Sequence, residues 1–151
     1  MIHPMHERYA SLLVGYCTDV QPGENVMISV DAAALPLARA IFREVLRAGG
    51  EPFLRVSYPE QVADLIELTS DDLLSKQPAA QLQEMQSMQA FIRVSASDNA
   101  TALAGLNVSR LSASDKRLTA VNQQRVNHTK WVLTLYPTPA SAQGAGMSTE
   151  A

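Results

Sequence analysis

Between Val26 and Ser57 the sequence reads strand, helix, strand, with almost no residues left over. Val26 to Val30 holds valine, methionine and isoleucine with only Ser29 polar, and it follows the turn pair Pro22-Gly23. A short, nearly continuous apolar run of this kind predicts a central strand of a parallel sheet. Asp31 ends the run. From Leu35 to Arg47, the residues Leu35, Ala38, Ile41, Phe42, Val45 and Leu46 share one helical face. Arg39, Arg43, Glu44 and Arg47 lie opposite, so the segment is an amphipathic helix. Pro36 suits its first turn, Arg43 and Arg47 suit its C-terminal dipole, and Gly49-Gly50 supplies a left-handed cap. Pro52 to Ser57 follows at once as a second strand, and the crossover between the two strands is expected to be right-handed.

The same alternation runs through the rest of the chain. A helix is predicted from about His6 to Cys17, with Tyr9, Leu12, Leu13 and Tyr16 as its apolar stripe. Tyr58-Pro59 opens another, with Val62, Leu65 and Ile66 on its apolar side. Ser70 is placed to cap a short turn led by Asp71 and Asp72. A helix from Pro78 to Met88 carries Leu82, Met85 and Met88, and Gln77, Gln81, Gln83, Gln86 and Gln89 form a wet face. Ala90 to Val94 is the third strand. Ser95 to Ser114 reads as a polar loop with a short helical piece around residues 101–106. Ser114-Asp115 then starts a helix carrying Leu118, Val121 and Arg125.

Trp131 to Leu135, closed by Tyr136-Pro137, is the fourth strand and is expected to be buried on both faces. The fold class is α/β: a three-layer αβα domain on a mainly parallel sheet of about four strands, flavodoxin-like or Rossmann-like. The domain occupies residues 1–136. In residues 137–151, Pro137, Pro139, Gly144 and Gly146 interrupt a series of small residues, which predicts a segment leaving the sheet.

Composition limits the function classes. A chain of 151 residues with 46% hydrophobic and 18% charged residues fits one soluble globular domain. A net charge of −3 with no basic cluster argues against a nucleic-acid partner. No apolar run approaches a membrane span, and the N-terminus lacks the build of a signal peptide. Cys17, the single cysteine, excludes an internal disulfide framework and points to the reducing cytoplasm.

The candidates for chemistry thin out one by one. No carboxylate or cysteine joins His3 and His6 into a zinc set, and they read as part of a ragged N-terminus. His128 suits a helix C-terminus. Cys17 has no legible cause for a lowered pKa and reads as a small buried residue. Asp31 stands where ligand sites of open α/β sheets collect, and a helix-capping role explains it equally well. Asp71-Asp72 is explained by the helix dipole, and Met85 and Met88 are core filler. The glycine fingerprint of dinucleotide folds is replaced after the first strand by Asp31-Ala32-Ala33-Ala34-Leu35, and neither a phosphate loop nor a nucleophile elbow occurs. The sequence therefore assigns no catalytic, metal-ligating or cofactor-binding residue.

Three strings resemble one family. They are Tyr9 to Val14 running into Val20-Gln21-Pro22-Gly23-Glu24-Asn25-Val26; Leu35 to Ala40 continuing through Leu46-Arg47-Ala48-Gly49-Gly50; and Trp131 through Tyr136-Pro137-Thr138 with Ala142-Gln143-Gly144-Ala145-Gly146-Met147-Ser148. Asn99, Leu103-Ala104-Gly105 and Arg110 add to them. Together they resemble the N-terminal portion of the thermophilic-type metallo-aminopeptidases, the aminopeptidase T and aminopeptidase S group. The resemblance implies a cytoplasmic, homodimeric enzyme that uses two divalent ions, zinc or cobalt, to remove N-terminal residues from peptides. It places the metal ligands on a C-terminal catalytic domain absent from this sequence, and no position here matches them. Under it, this part of the enzyme is inactive alone, shapes the substrate cavity and supports the dimer. A stand-alone flavodoxin-like module for a small ligand, or an interaction module, is the alternative.

Overall fold

The computed structural model describes residues 2–96 and 103–136. The expected exit segment at 137–151, Asn99 and the first two residues of the helical piece predicted around 101–106 lie outside them; residues 103–106 form a turn and not a helix. Four strands form one all-parallel sheet: β1 (Asn25–Asp31), β2 (Glu51–Ser57), β3 (Ala90–Ala96) and β4 (Lys130–Tyr136), in the order β2-β1-β3-β4. Val26 lies beside Pro52 on one side and Ala90 on the other, and Ala90 lies beside Lys130. Each expected strand is present, one or two residues longer.

One face of the sheet carries the main core. Val26, Ile28 and Val30 of β1 and Ala90, Ile92 and Val94 of β3 point the same way and are fully buried. They meet α1 (Pro4–Ser11), the turn Leu12–Cys17 that continues it and α2 (Leu35–Arg47) through Ala10, Leu13, Val14, Leu37, Ala38, Ile41 and Val45. The alternation is the period of two of a strand read against a helical stripe. Helix α2 ends as its sequence predicts. Gly49 adopts φ +83°, its N–H bonds the Leu46 carbonyl, and the Gly50 N–H bonds the Val45 carbonyl. This is the double bond pattern of a glycine-terminated helix.

On the other face lie α5 (Ala79–Gln86) and α7 (Thr119–His128). The Arg125 guanidinium sits 5.4 Å from the centre of the Phe91 ring and 5.5 Å from that of Trp131, so α7 is held over β3 and β4. Arg55 on β2 reaches Glu84 of α5 at 2.7 Å. Met85 and Met88 are buried, and the five glutamines are exposed, as expected. Helices α3 (Gln61–Leu68), α4 (Asp71–Ser75) and α6 (Val108–Arg117) are joined by Arg110. Its Nε donates to the Ile66 carbonyl at 2.7 Å, one terminal nitrogen donates to the Thr69 carbonyl, and the other pairs with Asp71. Ser70 caps α4 by accepting from the Leu73 N–H.

Several expectations are corrected. The first helix does not keep its α-helical pitch. Leu12–Cys17 is wound as a π-helix, with the Thr18 N–H bonded to the Leu13 carbonyl at 3.1 Å. A wider turn rotates the apolar face, so Ala10, Leu13, Val14 and Thr18 go inside while Leu12, Tyr16 and Cys17 are exposed. The buried Thr18 hydroxyl is satisfied by the Leu13 and Val14 carbonyls. Helix α6 begins at Val108 rather than near Ser114, because the Asn107 side chain caps it by accepting from the Arg110 N–H. On α3 only Ile66 is buried, with Val62 and Leu65 exposed. Strand β4 is not buried on both faces: it is an edge strand, and Leu133 and Leu135 are 54% and 71% exposed.

Gly50 tests the contact between the α2 cap and the loop before β1. A Cβ there would stand 2.9 Å from Val20 Cγ1, 3.0 Å from Val45 Cγ1 and 3.2 Å from the Glu24 carbonyl oxygen. Gly50→Ala is expected to lower stability by about 1–3 kcal/mol through overpacking, read as a lower urea midpoint at unchanged slope.

Candidate functional site

In a parallel sheet of this order, the chain leaves β1 toward β2 and then returns across β1 to β3. The carboxyl ends of β1 and β3 therefore flank the point where the winding reverses, and ligands of open α/β sheets bind there. Asp31 and Ser95-Ala96 occupy those ends.

The structure brings Asp31 to that point and then closes it. Asp31 Oδ1 accepts from Arg93 Nη2 at 2.6 Å, and Oδ2 accepts from the Ala96 N–H at 2.7 Å. Arg93 also leans toward the Ser29 hydroxyl at 3.5 Å. The aspartate makes no capping bond to the 3₁₀ turn Ala32–Ala34 that follows, so the helix-cap explanation is replaced by a cross-strand clasp. Arg93 is the residue sequence reasoning missed. Its signal was a lone cation inside the apolar run Ala90–Val94, two register steps from an acid on the neighbouring strand.

The histidines take structural places. His3 is the N-cap of α1, its Nδ1 accepting from the Met5 N–H at 3.1 Å, which corrects the ragged-end reading. His6 lies one turn on, its ring 5.7 Å from that of His3 and 5.8 Å from that of Tyr136. Tyr9 hydrogen-bonds the Thr134 hydroxyl, so α1 is fastened to the carboxyl half of β4. Burial first, and then repulsion from His3, hold the His6 imidazole below its ordinary pKa. His128 lies exposed in the last turn of α7, the dipole position expected for it.

At the amino end of the sheet, Lys130 Nζ meets Glu24 at 2.7 Å and the Asp19 carbonyl at 2.6 Å. Burial pushes the Glu24 carboxyl up. The Lys130 hydrogen bond, the Gln21 N–H and the Lys130 charge outweigh it and leave the group below its usual value.

Among the described residues, no three His, Cys, Asp or Glu side chains gather where they could hold a metal ion. Asp31 spends both oxygens on Arg93 and Ala96, and His3 spends Nδ1 on its own helix. These donors do not fit a metal centre. No described helix is long and apolar enough to cross a membrane.

Two measurements follow from this geometry. Asp31→Ala strands Arg93 in a part-buried setting and is expected to cost about 3 kcal/mol by urea unfolding. The pair Asp31→Leu with Arg93→Met is expected to recover most of that loss, as two matched apolar groups would in a structural clasp; an unrecovered loss counts against it. His6 gives a pH dependence of definite sign. Its folded pKa is depressed, so the unfolded chain takes up the proton first and stability falls as pH drops below about 6.5. His6→Gln is expected to remove that slope, and thermal melts across the range check it.

Known proteins place this fold. Wild-type AmpT from Thermus thermophilus superimposes with a TM-score of 0.71 at 21% identity, over 96% of this chain and 39% of that one. The present chain thus spans well under half the length of that relative. CurK enoyl reductase aligns over 93% of this chain and 44% of its own, at 15% identity and a TM-score of only 0.38. No curated protein sequence matches. The thermophilic metalloprotease family M29 matches residues 3–151, nearly the entire sequence, and the chain belongs to that family.

Proposed function

We propose that this chain is the non-catalytic N-terminal part of a metallo-aminopeptidase that removes N-terminal residues from peptides. The family match over residues 3–151 carries the reading, and the 39% share of AmpT that the chain covers supports a further domain. On this reading, two divalent ions of the zinc or cobalt type are held by a C-terminal catalytic domain of the same polypeptide. The chemistry supplied there is activation of a water between the ions. The present residues contribute one wall of the peptide-binding cavity and support a homodimer, in the cytoplasm.

The closure of the switch point is consistent with this division of labour. A carboxylate bound by a guanidinium and a backbone N–H has no oxygen left for a small ligand, which weighs against a stand-alone flavodoxin-like module. The apolar face of β4 gives the further domain a place to rest. Leu133 and Leu135, on the same side of that edge strand as Trp131, are 54% and 71% exposed beyond the reach of α7's contact with Trp131. An apolar patch of this kind marks an interaction surface.

The test is peptide hydrolysis. This chain, with zinc or cobalt added, is expected to release no N-terminal residue from a dipeptide, while a polypeptide carrying the C-terminal domain as well is expected to do so. Tight binding of divalent ions and dipeptide cleavage by this chain alone overturn the reading.

A further inference from the structure

The sheet face that carries α5 and α7 is covered over only part of its length. At its amino half, Arg125 of α7 lies over Phe91 and Trp131, and Met27 is buried. Toward the carboxyl ends, two rows of side chains follow on the same face. Arg55, Ser29, Arg93 and Leu133 lie side by side in the first. One pleat on, Ser57, Asp31, Ser95 and Leu135 form the second. The polar members are half-buried or exposed, and Leu133 and Leu135 are exposed. The rows make a shelf at the switch point between β1 and β3.

This shelf offers donors. Asp31 has both oxygens occupied, by Arg93 and by the Ala96 N–H, so it orients the guanidinium without remaining an acceptor. Arg93 keeps N–H groups beyond those it directs at Asp31 and Ser29, and Arg55 keeps others beyond its bond to Glu84. The Ser57 and Ser95 hydroxyls bond no described residue.

We propose that the shelf binds the terminal carboxylate of a short peptide. The peptide rests on the peptidase reading above; the carboxylate rests on the donors. Arg93 and Arg55 stand two strands apart, about 10 Å at the backbone, and their long side chains can close on one carboxylate above Ser29. Ser57 and Ser95 add hydroxyl donors beside it. An ammonium group finds no open oxygen on Asp31, so the site selects the anionic end of a peptide over its amine. Both guanidiniums already face a carboxylate, so the attraction is short-ranged and comes from fixed hydrogen bonds. Leu133 and Leu135 continue the rows on β4, so a domain resting on that strand borders the shelf and the cavity wall gains a definite place.

The test is an NMR titration of the full 151-residue chain with alanyl-alanine. Saturable shifts are expected at the Ser29, Ser57 and Ser95 amides and at Arg93 Nε–H, with a Kd on the order of a millimolar. Alanyl-alanine amide is expected to bind about tenfold more weakly. Arg93→Lys keeps a charge on Asp31 but loses the planar fork, and is expected to weaken dipeptide binding about tenfold. Ser57→Ala with Ser95→Ala disturbs no bond of the fold and is expected to weaken it about fivefold. An absence of saturable shifts at these residues, or an amide that binds equally well, overturns the proposal. Inorganic phosphate that binds as tightly as the dipeptide overturns the assignment to a peptide. The hydrolysis test stands apart. A longer polypeptide that cleaves dipeptides while this chain fails to bind them ends the shelf and keeps the peptidase; dipeptide binding here with no cleavage there does the reverse.

Discussion

The fold depends on one layer of contact: the even-numbered side chains of β1 and β3 against α1 and α2. Val26, Ile28, Val30, Ile92 and Val94 are sealed from solvent, and Ala90 and Ala38 are small enough to let helix and sheet come close. Parallel strands cannot be joined by tight turns, so every connection must cross a face of the sheet and bring a helix with it. Once β1 and β2 are linked through α2 on one face, the right-handed rule sends the return to β3 over the other face. The strand order and the position of the switch point follow from that geometry.

That layer is also what the sequence displays most openly. The strand β1, the helix α2 and the Gly49-Gly50 cap are local patterns, and the structure has them where the residues put them. What was hidden depends on partners far away in sequence. The π-helical winding at Leu12–Cys17 turns Tyr16 and Cys17 outward, and no local period announces it. A regular helix would have exposed Thr18, whose hydroxyl instead finishes the turn by bonding two carbonyls. Strand β4 reads as a buried run because its residues are apolar. Only the strand order shows that it lies at an edge. The Asp31–Arg93 clasp is half legible: the acid stands at a strand end where sites collect, but its guanidinium partner lies 62 residues on and no local pattern joins the two.

The polar groups of the domain are largely spent on holding elements together. Arg110 binds the end of α3 and the start of α4, Lys130 binds the loop before β1, and Asp31 closes the gap between β1 and β3. A hydrolytic centre needs the opposite arrangement, with carboxylates and imidazoles left available to an ion or a water. Membership in a metalloprotease family and a domain whose described carboxylates do not gather are compatible when binding surface and metal centre belong to different parts of a protein.

The two edges of the sheet then carry different meanings. An open edge offers unpaired peptide groups to any extended chain, and proteins usually blunt it with charge, proline or cover. Strand β4 is fastened by α1 through Tyr9 and His6, and one of its faces stays apolar. Strand β2 has a proline near its start and an arginine in its middle, which blunts random association.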